Sequence, residues 1–360
     1  MKMKKDSGLD IDLGNKCSQN AYDWAKRTFI NRKDKAGEIQ IDVDGTFSNM
    51  LKFDNARIGI SSDGIGTKIE LAERTGIYNT IGFDLMAMVA DDLIANGFEP
   101  TNISNIIDID HLDYDVIDQM MEGLFEAAKQ ANVTISGGEI AELGERMNGF
   151  GKGPHFNWCA TAIGYLPPIL KRPVSGADAK AGDKIISLKS RGFRSNGFSL
   201  VRKVMEDNFG ENWHQEKYDS TTTWGKKLLT PSLIFCNPVS QLISQGIELH
   251  GIAHITGGGL VDNLNRVLKV NKLGAELDDI YAPPAFVKKV QEIGKISEEQ
   301  AYRLWNMGNG MLLICPEKSA DKIVENMAQL RYDAKICGQV TAERQICIQS
   351  KGINAQELCY

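Results

Sequence analysis

The first half of the chain mixes two patterns of hydrophobic residues, one typical of strands and the other typical of helices. Short runs of β-branched and apolar residues predict strands, and longer stretches of helix-forming residues that stop at glycine or proline predict helices. The predicted strands cover residues 57–61, 103–109, 133–136 and 156–166. The predicted helices cover residues 69–74, 81–96 and 116–130.

The second half shows the same mixture. Its predicted strands cover residues 183–190, 251–256, 310–316, 332–340 and 345–351, and its predicted helices cover residues 198–209, 260–268 and 318–330. Neither half alternates strictly between strand and helix, as a doubly wound parallel sheet would. We therefore expect an α+β fold in which mixed sheets are layered with helices.

Length and one pair of prolines indicate the domain organisation. A chain of 360 residues is long for a single ordinary core. Pro167 and Pro168 directly follow a predicted strand, and consecutive prolines interrupt regular structure. We predict an N-terminal domain at residues 1–168 and a C-terminal domain at residues 169–360.

Composition narrows the classes of function. The net charge of −6 argues against a nucleic-acid partner, because phosphate backbones require a basic face. No run of consecutive apolar residues is long enough to predict a membrane span. The seven cysteines form no CxxC pair, and several lie in apolar runs typical of buried thiols, which fits a reduced, cytoplasmic setting.

Acidic residues concentrate between Gly76 and Ala128, a window with eleven carboxylates and no lysine or arginine. Asp84 and Asp91 are seven residues apart in a predicted helix and share one side of it, with Asp92 adjacent. One interpretation is that Asp84 is a residue of the helix N-terminus and that Asp91 and Asp92 form a solvated helix face. The other is a hard-cation site, in which carboxylates together with substrate phosphates hold Mg²⁺.

A second acidic pair, Glu139 and Glu142, follows the predicted strand 133–136 across two glycines. Strand ends that lead into glycine turns are places where functional residues gather. A plain loop with surface acids is the alternative interpretation.

The segment from Asp63 to Lys68 has the composition of a phosphate loop. Gly64 and Gly66 let backbone N–H groups approach a phosphate, while Thr67 and Lys68 add a hydroxyl and a positive charge. Asp63 would meet a metal ion. The spacing differs from the GxxxxGK[ST] loop, and a strand-to-helix turn with incidental glycines is the alternative.

Two loops of the second half also precede predicted helices, namely Ser195-Asn196-Gly197 and Thr256-Gly257-Gly258-Gly259. Both place free N–H groups and a hydroxyl where the helix dipole favours anions. Capping explains the first loop, whereas three consecutive glycines indicate close approach of a ligand. His254 precedes the second loop, either as a core histidine or as a catalytic one. The five histidines are scattered, so no zinc site is expected.

The order of these motifs resembles a known family. The segments are SGLDIDLGN, SSDGIGTKIELA, TIGFDLMAMVADDLIANGFEP, ISGGEIAEL, SRGFRSNGFSLVRKV, LLTPSLIF, GIAHITGGGLVDNLNRVL and NMGNGMLLI. From about Gly8 to Val340 the chain resembles the phosphoribosylformylglycinamidine cyclo-ligases, the aminoimidazole ribonucleotide synthetases of purine biosynthesis. The wider superfamily includes thiamine-monophosphate kinase, selenophosphate synthetase, a hydrogenase-maturation protein and the amidotransferase of the preceding purine step.

This resemblance implies a two-domain α+β enzyme that binds ATP in its cleft and is a homodimer through its N-terminal domains. In such enzymes ATP activates the formyl-derived amide oxygen of formylglycinamidine ribonucleotide. An amidine nitrogen then closes the imidazole ring, and phosphate leaves. ATP and Mg²⁺ are the implied cofactors, and a ribonucleotide is the implied small-molecule substrate.

The resemblance also assigns roles to residues. The residues implied to bind ATP are Asp63, Gly64, Gly66, Thr67 and Lys68. The residues implied to bind the metal are Asp63, Asp92, Glu139 and Glu142. The residues implied to bind the substrate are Ser195, Asn196, Gly197, Thr256, Gly257, Gly258 and Gly259. His254, Lys68 and Arg194 are implied to act in catalysis.

The chain departs from the family pattern at several positions. Arg194 stands where the family usually has histidine, and Asp91 stands where it usually has asparagine. Tyr22 replaces a lysine of the family, with Lys26 one turn on, and Gly45–Ser48 replaces a GGFG segment. Arginine can clamp a phosphate but cannot act as a proton shuttle near neutral pH, so these departures bear on the substrate.

Two alternatives to the cyclo-ligase follow from these departures. One is a superfamily kinase or synthetase that phosphorylates another small molecule. The other is a non-catalytic ATP-binding paralogue that acts through a partner. The RSNG and HITGGG motifs favour the cyclo-ligase over the kinase or synthetase.

Overall fold

The structure is a computed structural model that describes residues 27, 29–35, 37–40 and 49–360. Within these ranges the chain forms two mixed β-sheets and ten α-helices, which confirms the α+β prediction. The departures at Tyr22, Lys26 and Gly45–Ser48 lie outside the described residues. The boundary after Pro168 stays a prediction.

Six strands form the N-terminal sheet. They are β1 (Glu38–Gln40), β2 (Asn49–Phe53), β3 (Ala56–Gly64), β4 (Glu99–Ile109), β5 (Thr134–Glu142) and β6 (Phe156–Tyr165). Their spatial order is β1-β2-β3-β6-β4-β5, with β4 and β5 parallel and the other pairs antiparallel. Along β6, even-numbered residues are buried and odd-numbered ones are more exposed, so the sheet has one covered and one open face.

Three helices follow in this half: α1 (Ile69–Thr75), α2 (Ile81–Ile94) and α3 (Tyr114–Ala131). The carboxylate of Asp113 caps α3 by accepting hydrogen bonds from Asp115 N and Val116 N. Twelve of the fourteen residues of α2 are buried. Because an ordinary surface helix buries only one side, α2 is an internal helix that packs on several partners.

Glycines allow α2 and α3 to cross at backbone distance. A Cβ at Gly82 would lie 2.4 Å from Leu124 N, and a Cβ at Gly123 would lie 2.2 Å from Asn79 O. Any side chain at either position would therefore push the two helices apart.

Seven strands form the C-terminal sheet. They are β7 (Lys184–Lys189), β8 (Gly251–His254), β9 (Gly274–Leu277), β10 (Asn309–Cys315), β11 (Ala334–Thr341), β12 (Ile346–Gln349) and β13 (Glu357–Cys359). Their order is β13-β12-β9-β11-β7-β10-β8, and β9 pairs with β12 in parallel. Every residue of β10 is buried, so the core of this half lies around that strand.

Seven helices surround this second sheet. They are α4 (Phe198–Phe209), α5 (Trp224–Leu228), α6 (Cys236–Ser244), α7 (Gly259–Leu268), α8 (Ala285–Ile293), α9 (Glu298–Leu304) and α10 (Glu317–Gln329). None of the helices in the described part of the chain has the length and apolar character needed to cross a membrane.

The two halves contact each other through several elements. Helix α2 of the first half packs on α6 and β8 of the second. Away from that contact, Arg74 of α1 bonds to Glu206 at 2.6 Å, and its guanidinium lies 3.8 Å from the ring centre of Phe150 and 5.3 Å from that of Trp213. Arg74 therefore ties α1 to α4 through charge, and to Trp213, which follows α4, through a cation–π contact.

The cysteines only partly match the expectation of buried thiols. Cys236, Cys315 and Cys337 are buried and free, as predicted. Cys347 and Cys359 instead form a disulfide, so the expectation of free thiols is wrong for this pair. They lie opposite each other on antiparallel β12 and β13, with Cα atoms 4.1 Å apart. The neighbouring pair, Ile346 and Tyr360, makes the hydrogen bonds, and non-bonded pairs bring side chains closest.

One strand boundary differs from the prediction in a way that affects the site. The predicted strand 133–136 continues as β5 through Gly137 and Gly138 to Glu142. The strand does not end at the glycines because both keep their places in the parallel pairing with β4, opposite Ser104 and Asn105. The two glutamates are therefore strand residues and not loop residues.

Candidate active site

The loop after β3 has an open backbone. Asp63 Oδ1 accepts a hydrogen bond of 2.7 Å from Gly64 N. Gly66 has a φ of +70°, which favours glycine, and among the described residues no atom lies within 4 Å of its Cβ position. Thr67 is exposed, and its Oγ1 accepts from Ser199 Oγ of α4 at 3.4 Å. This loop can therefore receive a ligand from the side that faces α4.

Lys68 points away from this opening into the protein. Its Nζ donates to Asp84 Oδ1 and to Thr230 O, both at 2.8 Å, and the Lys68 and Asp84 side chains are 0% exposed. Ser232 Oγ also donates to Asp84. Burial lowers the pKa of Lys68 and raises the pKa of Asp84, while their attraction opposes both shifts. The Lys68–Asp84 pair thus joins the loop, α2 and the C-terminal half.

Arg194 forms a second buried pair with Asp91. Arg194 Nη2 donates to Asp91 Oδ2 at 2.8 Å, and the side chains are 1% and 0% exposed. Asp91 Oδ1 accepts from Phe235 N and Cys236 N, both at 2.8 Å, where α6 begins. The guanidinium also lies 5.0 Å from the ring centre of Phe235. The carboxylate is therefore held by one charge and by two N–H groups at a helix start.

His254 lies at the end of β8 between two side chains from other elements. Its Nδ1 is 2.7 Å from Asp92 Oδ1, and its Nε2 is 3.0 Å from Arg194 Nη2. Arginine can only donate, so Nε2 accepts and the ring proton lies on Nδ1, directed at Asp92. Burial and the Arg194 charge lower the pKa of His254 to about 3, which makes the ring neutral near pH 7.

The charge of Asp92 acts on Asp63, which lies near the end of β3. Burial raises the pKa of Asp92 to about 7, although Arg266 and Arg194 act in the opposite direction. Burial also raises the pKa of Asp63 to about 6, and the charge of Asp92 adds to this shift. A divalent cation would relieve the repulsion that Asp92 exerts on Asp63, and carboxylates are ligands that Mg²⁺ accepts.

Glu139 and Glu142 lie apart from this pair. In β5, Glu139 is opposite Ile106 and Glu142 is opposite Ile109, so the two side chains point to opposite faces of the sheet. Two strands separate β5 from β3, which places Asp63 about 14 Å away across the sheet. Among the described residues, no three ligand atoms of the predicted metal set lie within 4.8 Å of one another. The metal role of Glu139 and Glu142 stays a prediction.

The glycine loop before α7 is built to expose N–H groups. Asn263 Nδ2 donates to the carbonyl oxygens of Thr256, Gly257 and Gly259, which turns these acceptors toward the helix. Within the described part of the chain, the N–H groups of Gly257 and Gly258 have no acceptor. A Cβ at Gly259 would lie 2.3 Å from Tyr302 O. These N–H groups are therefore available to an anion.

The loop before α4 lies next to the glycine loop. Asn196 Nδ2 contacts Met88 Sδ of α2 at 3.7 Å, and a Cβ at Gly257 would lie 3.6 Å from Asn196 Oδ1. Ser195 Oγ is buried and has no hydrogen-bond partner among the described residues. At Gly197, φ is +77° and a Cβ would lie 2.4 Å from the ring of Trp305. The structure thus brings both second-half motifs to one region beside α2.

The partners of Lys68 and Arg194 are the part of the site that sequence reasoning missed. The solvated-face interpretation is wrong for Asp91, because its side chain is fully buried. Asp84 lies in the first turn of α2, as the same interpretation had it, but it too is fully buried. One available signal was the apolar surroundings of these acids in α2, since buried acids are nearly always paired. The LLTPSLIF segment contributes Thr230 and Ser232, but nothing in its composition marks them as partners of Lys68 and Asp84.

Comparison with known proteins identifies both halves of the chain. The family model described as AIR synthase related protein, N-terminal domain, matches residues 48–166. The model described as AIR synthase related protein, C-terminal domain, matches residues 180–350. The fold is similar to that of the hydrogenase maturation protein HypE in complex with ATP, with a TM-score of 0.59 and 17% identity, over 89% of this chain and 86% of that one.

Curated relatives extend the match over nearly the whole chain. A phosphoribosylformylglycinamidine cyclo-ligase of Pyrococcus horikoshii is 34% identical over 350 residues, covering 96% of this chain and 98% of the relative. One from Methanobrevibacter smithii is 31% identical over 345 residues, covering 96% of each. Since both halves also match their family models, the chain belongs to the phosphoribosylformylglycinamidine cyclo-ligase family.

Proposed function

We propose that the chain catalyses the ATP-dependent closure of formylglycinamidine ribonucleotide to aminoimidazole ribonucleotide, with release of ADP and phosphate. One observation carries the proposal beyond family membership. The β3 loop, the carboxyl pair Asp63 and Asp92, and the glycine loop before α7 gather around one internal helix, α2. Phosphoryl transfer depends mainly on positioning and charge neutralisation, and these groups supply both.

The β3 loop is the proposed site for the ATP phosphates. The backbone at Gly64 and Gly66 and the exposed hydroxyl of Thr67 would contact the phosphate oxygens. Asp63 and Asp92 would hold Mg²⁺, which neutralises phosphate charge when bound. Lys68 is buried against Asp84, so we propose that it positions the loop and does not itself reach the phosphates.

The second-half loops are the proposed site for the ribonucleotide phosphate. The N–H groups of Gly257 and Gly258 and the Ser195 hydroxyl are unpaired within the described residues and lie in loops that meet. Asn196 contributes an amide at the same place, and Gly197 and Gly259 allow the close packing that supports the loops. His254 is fully buried, so its proposed part in ring closure is exerted through Asp92.

The reaction itself is the test. Purified protein is given formylglycinamidine ribonucleotide, ATP and Mg²⁺, and aminoimidazole ribonucleotide and ADP are measured. Asp63→Asn should lower kcat about 100-fold or more, since it removes a charge that the proposed metal needs. Asp207→Asn, an exposed acid of α4, should leave the rate nearly unchanged. Failure of the parent protein to form either product, under conditions in which the Pyrococcus relative is active, would refute the proposal.

The same assay separates the alternatives. A superfamily kinase would form ADP with thiamine monophosphate or another small molecule and not with formylglycinamidine ribonucleotide. A non-catalytic paralogue would bind ATP in calorimetry and turn over none of these compounds. Arg194 motivates both alternatives because it departs from the family pattern; Tyr22 adds to the case for the kinase, and Gly45–Ser48 adds to the case for the paralogue.

A homodimer in the cytoplasm completes the proposal. The open face of the N-terminal sheet carries exposed apolar side chains, and a second copy of the chain is the proposed occupant of that face. These residues are Phe53, Ile106, Ile163 and Tyr165, between 37% and 51% exposed. Strand register places them on one face, because Ile106 is opposite Cys159, which lies on the same side of β6 as Ile163 and Tyr165.

A further inference from the structure

Two departures from the family pattern meet in space. Arg194 and Asp91 are 103 positions apart in sequence, in different halves of the chain, yet they form one buried ion pair at 2.8 Å. A charge change at one position is thus matched by the opposite charge at the other. The family's usual residues, histidine and asparagine, would place two side chains here that need no mutual charge compensation.

Burial makes each member dependent on the other. Removing one partner of a buried pair leaves an uncompensated charge, which is strongly destabilising. Asp91 would retain only the N–H groups of Phe235 and Cys236. Arg194 Nε and Nη1 already have no hydrogen-bond partner among the described residues, so its charge depends on the contacts made by Nη2.

The same Nη2 atom also reaches the histidine of the site. It lies 2.8 Å from Asp91 Oδ2 and 3.0 Å from His254 Nε2, so one nitrogen supplies both contacts. Asp91 fixes the guanidinium, and the guanidinium in turn occupies the acceptor side of the imidazole. The remaining ring proton, on Nδ1, is then directed at Asp92, which lies 2.7 Å away.

We propose that Arg194 and Asp91 act as one paired unit that positions His254, and through it Asp92, from across the boundary between the two halves. Arg194 is in this view a positioning residue and does not touch the substrate. The kinetic part of the test rests on the proposed cyclo-ligase function, whereas the stability and spectroscopic parts do not.

A double-mutant cycle tests the pairing. Arg194→His and Asp91→Asn are made separately and together, and unfolding is followed in urea. Each single variant should lower the midpoint by about 1 M or more, and the double variant should recover most of that loss. Additive losses in the double variant would overturn the proposal. If the single variants do not fold, a double variant that also fails to fold would overturn it.

Nitrogen NMR of histidine-labelled protein tests the positioning. His254 should appear with its proton on Nδ1 and none on Nε2, and His254→Gln identifies the signals. A parent spectrum with the proton on Nε2 would contradict the assigned hydrogen bonds and overturn the proposal.

A second ion pair between the halves serves as the matched control. Glu206→Gln weakens the Arg74–Glu206 pair, which lies away from His254. It should lower the urea midpoint while leaving the His254 signals and kcat unchanged.

The kinetics of the double-mutant cycle test the positioning role. The value of kcat should fall about tenfold or more in each single variant and return to within about threefold in the double variant, with KM for ATP little changed. Equal kcat losses in Glu206→Gln would overturn the positioning role. Absence of turnover in the parent protein would refute the proposed function. The stability and NMR results would then decide alone whether Arg194 and Asp91 act as a paired unit.

Discussion

At the scale of single residues, each acid of α2 is matched with a basic side chain. Asp84 pairs with Lys68, Asp91 with Arg194 and Asp92 with His254. These three acids of the acidic window are therefore internal contacts that orient the loops of the site. The acids of α3 differ, because Asp115, Asp118, Glu122 and Glu126 are exposed.

The buried Lys68–Asp84 pair makes a stability prediction. Asp84→Asn leaves the Lys68 ammonium buried without a counter-charge and should lower the free energy of unfolding by about 3 kcal/mol. Urea denaturation measures the change. Asp118→Asn, at an exposed position of α3, should change it by less than about 0.5 kcal/mol. Equal stability of the two variants would contradict the buried pairing.

Sequence reasoning found the acids and the glycine loops but not their partners. The spacing of Asp84, Asp91 and Asp92 is a local property, and so is the order of residues in the β3 loop. The partners are not local: Arg194 is 103 positions from Asp91, and His254 is 162 positions from Asp92. Helix periodicity cannot show which distant base meets which acid, so the partners of Asp91 and Asp92 were not predictable.

At the scale of elements, the close crossing of α2 and α3 makes the next prediction. Gly82→Ala would place a Cβ 2.4 Å from Leu124 N, where neither backbone can yield without moving a helix, and should destabilise the protein by about 3 kcal/mol. Gly153→Ala is the control, because the nearest atom to its Cβ position is the Tyr78 hydroxyl at 3.4 Å. Thermal unfolding compares the two, and equal melting temperatures would show that the helices do not cross at backbone distance.

The long, strongly patterned elements were predictable, and the short or tertiary ones were not. The helix predicted at 198–209 has the bounds of α4, and the strand predicted at 183–190 differs from β7 by one residue at each end. Helices α5, α6, α8 and α9 were missed because they have nine residues or fewer, which is too short for a helical period to repeat. The prediction ended β5 too early because glycine usually ends a strand, whereas here the parallel pairing with β4 overrides that preference.

At the scale of the whole molecule, the open sheet face predicts the oligomeric state. Ile163→Lys would place a charge in the centre of the proposed contact between two copies and should convert the dimer to a monomer. Light scattering after gel filtration measures the mass. Ile169→Lys, a comparably exposed residue outside the sheet, should leave the dimer intact. A parent protein with the mass of a single chain, 39.7 kDa, would exclude the proposed contact.

The internal position of α2 also limits how this protein can be recombined with its relatives. A chimera that joins its first half to the second half of a relative with histidine in place of Arg194 would bring Asp91 to a neutral partner. The contact between the two halves would then contain the buried charge of Asp91 without a counter-charge, even if every surface residue matched. In such a chimera, positions 91 and 194 must therefore be exchanged together, although more than a hundred positions separate them along the chain.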